Sequence, residues 1–98
     1  MKYSSLKELS FTSVSHNPKI KKQTLIPFGD FPPLTNFAQA IVPPGEEVGE
    51  HIHEDMLEVF LVQSGRGTIS IDGESYRLDP GSCYAVSPGE SHALRNDS

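Results

Sequence analysis

The chain has 98 residues, 36% of them hydrophobic and 21% charged, which fits one globular domain and is too apolar and too weakly charged to enforce disorder. The net charge of −5 argues against nucleic acid as a partner, and no apolar run approaches the ~20 residues of a membrane span. A single cysteine, Cys83, excludes a disulfide framework and a multi-cysteine zinc site; by type it reads as a small buried hydrophobe.

The first residues, Met1-Lys2-Tyr3-Ser4, carry no apolar leader, so a cytoplasmic protein is expected. Residues 1–28 sum to +4 and residues 29–98 to −9. This divides the chain into an N-terminal arm, 1–28, of partial strand or short helix, and one body, 29–98. A positive arm can pack on its own negative body or on that of a second copy. Ser4–Leu9 is the one helical candidate, with Ser5 as cap and Glu8 three residues on. His16, beside Asn17-Pro18, reads as a turn residue without a ligand role.

From Pro27 onward Gly and Pro recur at short spacing, and the runs between them are too short for helices; this rhythm predicts an all-β sandwich or barrel. Leu34–Val42 reads as a long strand ending at Pro43-Pro44. Next comes His51-Ile52-His53, a spacing that sets both imidazoles on one face of a strand, as a shared metal ion requires and as two exposed side chains equally allow. Leu57–Val62 is apolar on both faces and predicts a strand covered on both sides. Its exception is Glu58. Pointing inward it needs a cation or a donor; pointing outward it leaves Val59 and Leu61 to fill the core, and the segment alone leaves both orientations open.

Thr68–Ile71 and Glu74–Leu78 alternate around Asp72-Gly73, the signature of a type I′ hairpin. Ser82–Val86 follows as another strand, and His92 comes after the turn Ser87-Pro88-Gly89-Glu90. Three imidazoles and one carboxylate suit Fe(II), Mn(II), Ni(II), Cu(II) or Zn(II) better than Ca(II) or Mg(II). The acids Glu46, Glu47, Glu50, Glu54 and Asp55 around the histidines read as a solvated rim.

The segment Gly45-x5-His51-x-His53-x4-Glu58-x6-Gly65 resembles the first cupin motif at every fixed position. Gly81-x5-Ser87-x-Gly89-x2-His92-x3-Asn96 resembles the second, with Ser87 in place of the usual Pro. The resemblance implies a small jelly-roll (double-stranded β-helix) barrel over 29–98, in which His51, His53, Glu58 and His92 line the interior and bind one divalent transition metal. Cupin barrels commonly continue past the position of Asn96, so a strand supplied by the arm or by a second copy is expected, and with it a homodimer. Gln39, Phe60 and Tyr84 are candidate pocket residues; Phe60, with Phe37 and Tyr76, also reads as plain core. Three functions stay open: an Fe(II) or Mn(II) oxygenase or metal-dependent isomerase or lyase acting on a small molecule, a ligand-binding or sensory module, and a barrel whose metal is structural.

Overall fold

The computed structural model describes every residue except residue 16, so the turn role expected of His16 lies outside the described residues. The chain divides into two compact units, Met1–Val42 and Pro43–Ser98.

The first unit is an antiparallel sheet of β1 (Thr12–Val14), β2 (Asn17–Ile26) and β3 (Phe37–Ile41), in that order. Ile20 and Gln23 of β2 are buried. The Gln23 amide is tolerated there because its Nε2 donates to the carbonyls of Leu6 and Leu9, at 2.8 and 2.9 Å. The helix expected over Ser4–Leu9 is a single turn: the Glu8 and Leu9 N–H groups donate to the Ser5 carbonyl, and Ser5 Oγ accepts from Lys7 N–H. A segment this short forms too few backbone hydrogen bonds to repay helix nucleation.

The second unit holds β4 (Glu47–Ile52), β5 (Glu58–Leu61), β6 (Gly67–Ile71), β7 (Glu74–Leu78), β8 (Cys83–Val86) and β9 (Ser91–Asn96). They form two antiparallel sheets, β4-β9-β6-β7 and β5-β8. The β6–β7 hairpin turns through Asp72 (φ 49°) and Gly73 (φ 84°), the pair of positive angles that a type I′ turn requires. Ile69 and Leu78 from the larger sheet meet Val86 from the smaller, with Phe60, Val62, Ile71, Tyr84 and Leu94 packed around them. Two sheets closing on one apolar core, with no helix among the described residues, make the all-β jelly-roll barrel.

Two expectations are corrected. The strand at Leu57–Val62 is covered on one face only: β5 pairs with β8 alone among the described residues, and Leu57, Val59 and Leu61 remain 63%, 57% and 66% exposed. Cys83, opposite Leu61 on β8, is exposed rather than buried, because strand alternation sets it on that same outer face.

Candidate metal centre

Strand register brings the ligand candidates together. β4 and β9 pair antiparallel with His51 opposite His92, so the first motif meets the second across one ladder. Pairing is irregular between Val48 and His51, and His53 lies just beyond the end of β4. Across the barrel, Glu58 opens β5 opposite Val86 of β8.

The ligand atoms of His51, His53, Glu58 and His92 all lie within 4.8 Å of one another. Ligands around one ion with metal–donor distances of ~2.0–2.2 Å span up to about 4.4 Å. A contraction of a few tenths of an ångström would therefore seat all four. The imidazole centroids are 4.1 Å apart for His51–His92, 5.0 Å for His51–His53 and 5.4 Å for His53–His92. Glu58 Oε1 stands 3.0 Å from His92 Nε2 and 3.3 Å from His53 Nε2.

This settles the orientation of Glu58. Its carboxylate faces two imidazoles, while Val59 and Leu61 take the outer face. His92 is the anchor, with 1% of its side chain exposed; the His53 and Glu58 side chains are 29% and 38% exposed, leaving one side of the cluster open to a ligand.

Backbone carbonyls orient two of the rings. Nδ1–H of His51 donates to Gly49 O at 2.9 Å and Nδ1–H of His92 to Glu90 O at 3.2 Å, which turns each Nε2 toward the cluster. Such outer contacts fix the tautomer that a metal ligand needs. The Nε2 that His92 turns toward the cluster stands 3.0 Å from Glu58 Oε1, where one cation would meet both atoms. Sequence reading missed these two carbonyls, because a residue pattern carries no signal for a main-chain acceptor.

Of the pocket candidates, Phe60 stands beside the site, its ring 6.0 Å from that of His92. Tyr84 is opposite Phe60 in the β5–β8 ladder, and its hydroxyl donates to Arg77 O at 2.7 Å. Its neighbour Tyr76 donates to Glu74 Oε2 at 2.8 Å, and that hydrogen bond, with the carboxylate's charge, holds the Tyr76 phenol above its usual 10.0. Gln39 lies on β3, in the first unit. Of the rim acids, Glu47, Glu50, Glu54 and Asp55 are exposed and Glu46 is half-buried.

The cupin domain family model matches residues 38–98. An oxalate-binding protein of Thermotoga maritima is 33% identical over 60 residues, which are 61% of this chain and 50% of that protein. An uncharacterized protein of Methanocaldococcus jannaschii is 30% identical over 61 residues, 62% of this chain and 49% of its own length. The chain thus spans about half the length of the curated relatives it matches. Among solved structures, a predicted oxalate decarboxylase from Thermotoga maritima superposes with a TM-score of 0.85 at 24% identity, over 93% of this chain and 84% of that one. KdgF from Halomonas sp. gives 0.84 at 19% identity, over 98% and 82%. At these identities the likeness establishes the fold.

Proposed function

The chain belongs to the cupin domain family, and from that premise we propose that it holds one divalent transition metal on His51, His53, Glu58 and His92 and binds a small carboxylate there. The observation that carries this reading is the convergence of three imidazoles and one carboxylate within 4.8 Å. A bound divalent ion supplies a Lewis-acid centre with positions left for a ligand. With one carboxylate among its ligands, such a site keeps a net positive charge that suits an anion. The ion itself would meet the anion's charge; Arg77 and Arg95 of the same unit are engaged with Asp79 and Asp97. The oxalate-binding relative supports the same class of ligand. Phe60 and Ile71, the latter paired across the ladder with His92, supply an apolar wall that favours a small molecule.

The same reading takes the protein as cytoplasmic and homodimeric, with no role for nucleic acid; among the described residues no helix is long and apolar enough to cross a membrane. Elemental analysis of protein purified without added metal should give close to one transition-metal ion per chain. His53→Ala should remove most of it, and calorimetry should detect oxalate binding only to the loaded wild type. A folded protein that takes up no Fe, Mn, Co, Ni, Cu or Zn overturns the reading. Turnover of the bound acid would move the assignment to a metal-dependent enzyme.

A further inference from the structure

The turn between β8 and β9 holds two of the four site residues through backbone atoms. Gly89 N–H donates to the carbonyl of His53 at 2.8 Å, and the carbonyl of Glu90 accepts from His92 Nδ1 at 3.2 Å. One turn thereby ties together imidazoles that lie 39 positions apart in the sequence.

Glu90 closes the turn twice. Its N–H donates to Ser87 O at 3.2 Å, and its side-chain Oε1 accepts from Ser87 N–H at 2.7 Å. The second bond exists because residue 87 is Ser: the Pro usual at this place in the cupin pattern has no N–H to donate. Gly89, at φ 87°, supplies the left-handed residue that the turn needs.

We propose that Glu90 is a positioning residue of the metal centre, its carboxylate stapling the Ser87–Glu90 turn so that His53 and His92 present their nitrogens at the spacing one ion requires. The inference rests on the metal-binding reading above. Removing the carboxylate leaves Ser87 N–H without its acceptor and lets the turn relax. The Gly89–His53 and Glu90–His92 links then shift together, where ligand placement tolerates only about 0.5 Å.

Co(II) titration of the full chain, followed by its visible d–d absorption, tests this. Glu90→Ala should weaken Co(II) binding roughly 10–100-fold, the usual cost of losing an outer contact, and should shift the band. Glu90→Gln keeps an oxygen that accepts from Ser87 N–H and should stay near wild type. Glu90→Asp retracts the acceptor by one methylene and should weaken binding measurably; it carries the test if Glu90→Ala does not fold. Wild-type affinity and an unchanged spectrum in the Ala or Asp variant overturn the proposal. So does a loss in Glu90→Gln as large as in Glu90→Ala, which would assign the effect to charge. A wild type that gives no d–d band under excess Co(II) removes the metal reading itself, and this inference with it.

Discussion

Glu58 Oε1 lies within 3.3 Å of two imidazole nitrogens on a strand whose other residues are apolar, and it shows how one side chain is read differently in sequence and in space. Nothing within Leu57–Val62 decides which way the carboxylate faces; the deciding groups, His53 and His92, lie outside that strand. The grouping of His51, His53, Glu58 and His92 was legible, because its spacing repeats a motif. The role of Asp97, an exposed acid just past the end of β9, was not. The Asp97 carboxylate accepts from Thr68 Oγ1 at 2.6 Å and from Arg95 Nε. These hydrogen bonds, Thr68 first, hold its carboxyl below the ordinary 3.8. A carboxyl depressed in the folded state stabilises the fold above its unfolded value, and that contribution is lost as pH falls through the folded value. Asp97→Asn should therefore lower the urea midpoint slightly at pH 7, with the gap to wild type closing below about pH 4. Urea melts at pH 7, 4 and 2.5 measure this, and a gap as large at pH 2.5 as at pH 7 contradicts the account.

At the level of elements, the turn and returning strand of the β6–β7 hairpin were legible to the residue, since Asp72-Gly73 has one strong backbone solution and the flanking alternation fixes which side faces in. β2 was not, because its lysines hide the period: Ile20 and Gln23 are its buried residues, and the second is polar. The close approach of β6 to β9 also escaped notice. A Cβ on Gly67 would collide with the Arg95 carbonyl, and Gly67 sits opposite both Asn96 and Leu78. Backbone atoms in a ladder on both sides cannot yield as a flexible side chain would. Gly67→Ala should cost about 1–3 kcal/mol, as overpacking does. Gly49→Ala, on β4, meets nothing within 4 Å and should stay within about 0.5 kcal/mol of wild type. Chemical denaturation of the two variants side by side decides it; equal costs would mean that loss of glycine, not strand proximity, is being measured.

For the whole molecule, the outer face of β5–β8 is the feature that a single chain leaves unexplained. Leu57, Val59 and Leu61 are exposed there beside Cys83 and Ala85, and strand alternation gives that face no charge. An uncharged apolar strip on a protein of net charge −5 is a candidate association surface, and a two-fold axis would set it against its own copy. The uneven charge offers a rival route, since the lysine-rich residues 1–28 can bind the acidic body of a second chain. Salt separates the two, because at 0.5 M the screening length falls to about 4 Å while apolar burial is undiminished. Sedimentation velocity at micromolar concentration should give a dimer at both 0.1 and 0.5 M NaCl. Leu61→Asp, which points away from the imidazoles, should give a monomer with unchanged metal content, because burying an unpaired carboxylate at the interface costs more than the strip contributes. A dimer that dissociates in high salt and tolerates Leu61→Asp would transfer the contact to the basic arm, and a wild type that sediments as a monomer would leave the strip free for a different partner.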